Sequence, residues 1–379
     1  MIIRGTSSRA RMDVETGGLE IFARLANEWR DLLEDASDDH PYNRPEWMLA
    51  HLRAYFPKAP TIAITIRQSG TLKVLAPLMR EYGSFSGLPA RKIRMPLSMP
   101  GAPNEVVMAR EMDHEASLHA VWDVLKSLPD WDVLELPSVY EKTPILRLSQ
   151  LADSEGYKTG SWPLPPIPTI RLNRCDIAKL PPSSVLRSRL RQAERRLNEL
   201  GNFSLQCFEK ADLVQRFFDL EASGWKGKGR SAILSDARSL QFFGEVAQQA
   251  EKFKHLKLYY LELNGKLISA HFGMNYRDRY YAPKIAYDES YREYRVGHLI
   301  LSKIMRECAQ QGIVEYPMGV LEEWKTEWTK ESTRRTVQCI FNKSFRGRLL
   351  YAARFEIKPR LKKLAQRMGV VPEVRTRNS

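Results

Sequence analysis

The chain has 379 residues, is 43% hydrophobic and carries a formal net charge of +14. Such a length suits two domains of ordinary size, and the apolar content is ample for packed cores, which excludes wholesale disorder. No uncharged apolar run is long enough to cross a bilayer, and Met1 to Arg9 lacks an apolar segment of signal-peptide length. A cytoplasmic protein, at most peripheral to the inner membrane face, is the expectation.

The four cysteines, Cys175, Cys207, Cys308 and Cys339, are scattered without a CxxC pair or metal-like histidine spacing. Neither a disulfide framework nor a metal site is expected, and buried, inert thiols are the plain reading. The positive charge is uneven. Residues 341–379 hold eleven Lys and Arg against two Glu, and residues 181–200 hold five Arg against two Glu. Such patches either attract phosphate, anionic lipid or RNA, or are solvated helix faces.

In chain order, Leu19, Ile21, Phe22, Leu25, Trp29, Leu32 and Leu33 space an amphipathic helix over 20–36. Pro45 opens a second helix. A strand from Thr61 to Ile66 turns at Ser69-Gly70 and returns from Leu72 to Met79. Residues 83–106, rich in Gly, Pro and Ser, read as a long loop around a short strand. A helix follows from Glu115 to Leu128, then a buried-type strand from Trp131 to Leu136. The proline-dense run Trp162 to Pro168 cannot be helix interior. It marks a boundary near residue 165, dividing a first domain, 1–165, from a second, 166–379.

The second half opens with a helix at 183–200, its apolar side Leu186, Leu190, Ala193 and Leu197, with Arg187, Arg191 and Arg195 along another side. After a strand at 202–208 come helices at 212–223 and 239–253. Three antiparallel strands follow, 256–263, 266–276 and 279–286, the first pair joined by the hairpin signal Asn264-Gly265. A helix starts at Gly297 and stops at Gly312, a short strand covers 314–316, a late strand 337–342, and a basic helix 346–367. The halves echo one another: helices, hairpin, loop, helix, short strand. A duplicated α+β (mixed αβ) unit with central, mostly antiparallel sheets is the expected architecture.

The junction of chemical interest is the third strand entering the Gly297 helix. Free N–H groups at a helix start can hold a phosphate, and glycine lets the backbone approach it. Arg295 can add a charge-assisted hydrogen bond. Around this junction stand Phe218-Asp219-Leu220-Glu221, Gly224-Trp225-Lys226-Gly227, Leu261-Glu262-Leu263-Asn264-Gly265, Tyr287-Asp288 with Tyr291, and Gly319 with Lys325 and Trp328. Earlier come Glu28-Trp29-Arg30-Asp31-Leu32, Arg44-Pro45-Glu46-Trp47 and Ala76-Pro77-Leu78. On these words the chain resembles GNAT-like acyltransferases of the CelD type, associated with cellulose and exopolysaccharide gene neighbourhoods. These in turn resemble the FemABX peptidyltransferases in carrying tandem GNAT-like (acyl-CoA N-acyltransferase) folds. It departs from the family pattern where Arg295-Val296-Gly297 replaces Ser-Pro-Gly.

The resemblance implies an acyl-CoA donor, acetyl-CoA or longer, at Arg295, Val296, Gly297 and His298 in the second half only, and no metal. It implies an amine or hydroxyl acceptor on a saccharide or cell-envelope precursor. It makes Lys325 a cationic stabiliser of the oxyanion. His271 is a candidate general base and Tyr287 a candidate proton donor to the thiolate. Glu221, Trp225, Lys226 and Trp328 are candidates for the acceptor groove. Two alternatives remain open: an aminoacyl-tRNA-dependent transferase of FemABX type, its arginines and basic C-terminal helix tracking RNA phosphates, and a non-catalytic GNAT-fold subunit of a polysaccharide synthesis complex. The basic helix can also rest on an anionic membrane face.

Overall fold

The computed structural model describes residues 5–7, 10–36, 39–96, 99–224, 229 and 232–361. In the first half, β1 (Gly5–Ser7) and β2 (Ala10–Gly17) precede α1 (Glu20–Glu34) and α2 (Pro45–Tyr55). Strands β3 (Thr61–Gln68), β4 (Thr71–Phe85), β5 (Leu88–Arg94) and β6 (Val107–Met108) lead to α3 (His114–Ser127), β7 (Val133–Tyr140), α4 (Leu146–Ser154) and β8 (Lys158–Arg171). The second half runs α5 (Ser184–Leu200), β9 (Phe203–Phe208), α6 (Val214–Ser223), α7 (Ala237–Lys252), β10 (Leu256–Leu263), β11 (Lys266–Tyr276) and β12 (Arg279–Tyr287). It ends with α8 (Val296–Gln310), β13 (Glu315–Pro317), β14 (Ser332–Phe341) and α9 (Phe345–Tyr351).

The hydrogen-bonded order is β1-β2-β3-β4-β5-β7-β14-β8-β13-β12-β11-β10-β9. Each half contributes an antiparallel series closed by one parallel pair: β5 beside β7 in the first and β12 beside β13 in the second. The echo seen in the sequence is therefore a repeated α+β unit.

Two expectations are corrected here. Residues 83–106 are not one loop around a strand. Ser86 and Gly87, both at positive φ, make a tight hairpin between β4 and β5, as two-residue turns do. The proline-dense run, where the domain boundary is expected, is regular structure. It lies inside β8, which pairs with β14 from Lys158 to Pro168 and with β13 from Thr169 to Arg171. Proline cannot donate to a ladder and survives only at edges and bulges. Pro165 and Pro166 fall at the register shift opposite Thr333 and Arg335. Their carbonyls still accept, from Arg335 Nε at 2.8 Å and the Leu321 amide at 3.0 Å. The boundary expected near residue 165 thus falls within a strand, and β14 is inserted into the sheet of the first half.

The halves also share a core. Trp47, on α2, packs edge-on to Phe242 of α7 with ring centroids 5.4 Å apart. The β11–β12 turn reaches across: Arg277 Nε and the Tyr276 hydroxyl both donate to Asp39 Oδ2, at 2.7 and 2.5 Å. Beyond α9 the chain continues as a π-helix, Ala352–Ile357, and the basic helix expected over 346–367 is described as far as residue 361.

His271 occupies β11 and is 2% exposed, its ring stacked on Tyr280, with Nδ1 3.3 Å from the Tyr280 hydroxyl. Burial holds its pKa down to about 3 against an ordinary 6.5. The folded state keeps it neutral while the unfolded chain takes up a proton below 6.5. Stability is therefore lost as pH falls from 6.5 towards 3, by about 1.4 kcal/mol per pH unit for one proton. We expect His271→Gln to flatten the decline of unfolding free energy measured by urea titration across that interval. Parallel curves for variant and wild type would show that His271 does not set the slope.

Candidate functional site

The second parallel pair is held by a single rung, Arg279 opposite Glu315. The first pair has three, Lys92, Ile93 and Arg94 opposite Val133, Leu134 and Glu135. Beyond their one rung, β12 and β13 part, and β12 runs on to Tyr287 without a parallel partner. The base of this fork is tied by charge: Glu315 pairs with Arg171 of β8 and with Arg279 Nε at 3.2 Å.

The helix starts differ in the same sense. In α3, Asp113 caps the first turn, its Oδ1 accepting the Ala116 amide at 3.0 Å. A carboxylate already sits where an anionic ligand would be held. In α8 the cap position is Arg295, at φ +50°, and no side chain caps the turn. The left-handed residue is Arg295, not Gly297. A Cβ on Gly297 would meet only Tyr287 Cδ1, at 3.7 Å, so that ring lines the approach to the amides.

The segment Glu323–Glu327 with Trp328 is drawn against this turn. Trp328 Nε1 donates to His298 Nδ1 at 3.0 Å, and the two rings stack. The Trp324 ring meets His298 edge-on, centroids 5.7 Å apart, and Lys325 Nζ lies 5.4 Å above Trp324. Lys325 is 5% exposed and donates to the Val320 carbonyl at 2.6 Å and to Glu322 Oε1 at 3.0 Å. Burial pulls its pKa below the ordinary lysine value, with Glu322 pulling the other way. Burial, with help from Arg295, also lowers that of His298, against the pull of Glu327.

The structure thus brings Tyr287, Arg295, Val296, Gly297, His298 and Trp328 together, with Lys325 joined to them through Trp324. It separates out His271, whose enclosure in the core leaves a general base no route to a substrate. Trp328, 1% exposed with its N–H spent on His298, buttresses the turn instead of lining a groove. Glu221 is buried at the end of α6, where Oε2 accepts the Ile233 amide at 2.9 Å and Oε1 lies 3.8 Å from Lys284 Nζ. Its position couples α6 to β12. Trp225 and Lys226 lie outside the described residues.

One feature of the surface escaped the sequence reading. A cavity of about 290 Å³ opens at the seam between the halves, where loop residues near 40 and 101 meet β7, β8, β12 and β13. Its wall is assembled from seven separated stretches of chain, and the only local hint was the dense polar and aromatic run Asp39-His40-Pro41-Tyr42-Asn43-Arg44. Gly319 lines it, and a Cβ there would stand 4.0 Å from Lys325 Nζ. Cavity and lysine are therefore neighbours. Among the described residues, no cluster of three or more His, Cys, Asp or Glu is placed to hold a metal ion, and no helix is long and apolar enough to cross a membrane.

Residues 184–326 match the family model described as an acetyltransferase (GNAT) domain. No curated protein matches the sequence. Among solved structures, FemX is similar with a TM-score of 0.59 at 11% identity, covering 86% of this chain and 97% of FemX. The C-terminal domain of a presumptive lysylphosphatidylglycerol synthetase from Agrobacterium fabrum is similar with a TM-score of 0.53 at 11% identity, covering 88% and 96%. A protein of unknown function from Bacteroides thetaiotaomicron has a TM-score of 0.52 at 12% identity, covering 83% and 97%. At these identities the likeness is one of fold. With the repeated sheet described above, it makes the architecture that of tandem GNAT-like domains, the second of which carries the matched acetyltransferase segment.

Proposed function

We propose that the protein is an acyltransferase that uses an acyl-CoA donor in its second half and passes the acyl group to an amine or hydroxyl of a saccharide or cell-envelope precursor. The observation that carries this reading is the uncapped start of α8 at the open end of the β12–β13 fork, contrasted with the Asp113-capped start of α3. The amides at Val296 and Gly297 would take the donor's pyrophosphate, with Arg295 as counter-charge. The fork would admit the pantetheine arm.

Transfer then follows ordinary thioester chemistry. The acceptor nitrogen or oxygen attacks the carbonyl carbon, a new C–N or C–O bond forms as C–S breaks, and the acceptor's proton goes to solvent or a neighbouring base. The thiolate leaves and is protonated. We assign that proton to Tyr287, whose ring lies beside Gly297. Lys325 is the cation offered to the oxyanion, reached through the Gly319–Val320 turn. No cysteine is needed: burial raises Cys308 to about 12 and Cys207 to about 11, so neither is poised as a thiolate.

The second reading, an aminoacyl-tRNA donor of the FemABX kind, draws on the fold shared with FemX and on the exposed Arg191 and Arg195 of α5. The two readings part on salt dependence, since RNA binding weakens steeply with ionic strength.

Calorimetry with acetyl-CoA and longer acyl-CoAs tests the donor site. Gly297→Glu puts a carboxylate into the proposed seat at a helix position that tolerates acid well. It should weaken donor binding by about tenfold or more, equivalent to roughly 1.4 kcal/mol, without lowering Tm. Equal affinity in both proteins removes the site, and tight, salt-sensitive binding of tRNA without acyl-CoA binding transfers the case to the second reading. Lys325→Met should lower kcat by roughly 100-fold with donor affinity unchanged, as loss of an oxyanion donor does. Because the Lys325 pKa is lowered, activity that needs its ammonium should decline on the alkaline side before pH 10.5. An unaltered kcat in Lys325→Met would leave the lysine a structural role only.

A further inference from the structure

The helix that begins as α9 and runs on to residue 361 packs one face on β14 and β8 and leaves another bare. On its inner face Leu350 is buried, and Tyr351 and Phe355 meet Phe341 with ring centroids 5.5 and 6.0 Å apart. A Cβ on Gly160 of β8 would collide with the Phe355 ring, so a glycine makes room for that contact. With the inner face held, the outer one is fixed towards solvent. It carries Phe345, Leu349, Ile357 and Leu361, exposed by 81%, 43%, 47% and 60%. Single exposed apolar side chains are ordinary, whereas several along one helix face mark a contact surface.

That these four share a face depends on the π-helix at Ala352–Ile357. On a plain α-helix, Phe345 and Ile357 would point about 120° apart, and so would Leu349 and Leu361. A π-turn takes in about one residue more than an α-turn. That extra residue brings Ile357 to within roughly 20° of Phe345, and Leu361 to a similar offset from Leu349.

The cations fall in two rows beside this line. The same geometry puts Arg346, Arg354 and Lys358 on one flank and Arg348 and Arg360 on the other, and Glu356 is the sole acid in the sequence from 345 to 361. Arg346 and Arg354 are tethered, to the Pro89 carbonyl at 3.3 Å and over the Trp162 ring at 4.3 Å. Arg348, Lys358 and Arg360 are exposed. An apolar line between basic rows matches the boundary of an anionic bilayer, where apolar side chains enter the acyl edge and cations meet lipid phosphates. RNA would use the cations yet leave Leu349, Ile357 and Leu361 in water.

We infer that residues 345–361 dock the protein on an anionic phospholipid surface, the helix lying in the interface plane with Phe345, Leu349, Ile357 and Leu361 entering the headgroup boundary. The inference is independent of the acyl-transfer reading.

Co-sedimentation of the full-length protein with vesicles provides the test. The vesicles are phosphatidylcholine alone, and phosphatidylcholine with roughly a third phosphatidylglycerol. Binding should require the anionic lipid. Phe345→Ser combined with Leu361→Ser should weaken it about tenfold or more, the scale of withdrawing large apolar side chains from burial. Arg348→Gln, Lys358→Gln and Arg360→Gln together should weaken it at least as far. All five positions are exposed, so melting curves should be unchanged. Arg189→Gln with Arg191→Gln, on the exposed side of α5, should bind as the wild type does.

No binding to anionic vesicles, equal binding to neutral ones, or undiminished binding by the Phe345→Ser, Leu361→Ser protein would each overturn the inference. Loss of binding in the α5 variant alone would overturn it by moving the contact to that helix. So would tight binding of RNA without binding of vesicles. A lipid-free dimer, seen by light scattering and dispersed by Phe345→Ser with Leu361→Ser, would put a second copy of the chain on this face and overturn it as well.

Discussion

The arrangement depends on β8, a single strand that hydrogen-bonds in both repeats. Its first eleven residues complete the earlier sheet through β14, and its last three complete the later one through β13. A backbone ladder is far less forgiving than a flexible linker, because a slip of one residue turns every side chain to the opposite face. The two sheets are thereby kept in one orientation. That orientation brings Tyr140 and Gly101 of one half opposite Arg279 and Glu315 of the other. Four prolines, at 163, 165, 166 and 168, lie in the part of β8 that pairs with β14 alone.

The two similar units differ at corresponding places. In the first, three parallel rungs hold β5 and β7 together and Asp113 occupies the start of α3. In the second, one rung holds β12 to β13 and the start of α8 carries no side-chain cap. The stabilising choices of the first half, a longer ladder and a carboxylate cap, are those that would close an anion site. The second half forgoes about 1 kcal/mol of capping energy of the kind Asp113 provides. The aromatic group of His298, Trp324 and Trp328 restores order to the turn by packing.

Much of this was legible in the residues. The apolar stripe Leu186, Leu190, Ala193 and Leu197 faces the core of the second half as its spacing required, and Asn264-Gly265 makes its hairpin with both residues at positive φ. These are local matters: side-chain period and turn chemistry act over a few residues and leave their mark in any short window. The same locality explains the failures. Prolines at 163, 165, 166 and 168 signal only that a helix is absent, so an interrupted strand and a domain boundary look alike. His271 has the pKa of a general base in isolation, and nothing adjacent to it announces a burial that removes it from service.

By itself, then, the amino-acid order determined the succession of helices and strands, the repeat, and the glycine-bearing helix start beside Tyr287 and Arg295, because each is written in nearest-neighbour chemistry. Tertiary structure alone decided that β14 returns to the first sheet and that Lys325 is buried beside a seam cavity. Those facts depend on which distant segments β8 holds together, and contacts between residues hundreds of positions apart leave no periodic trace in the chain.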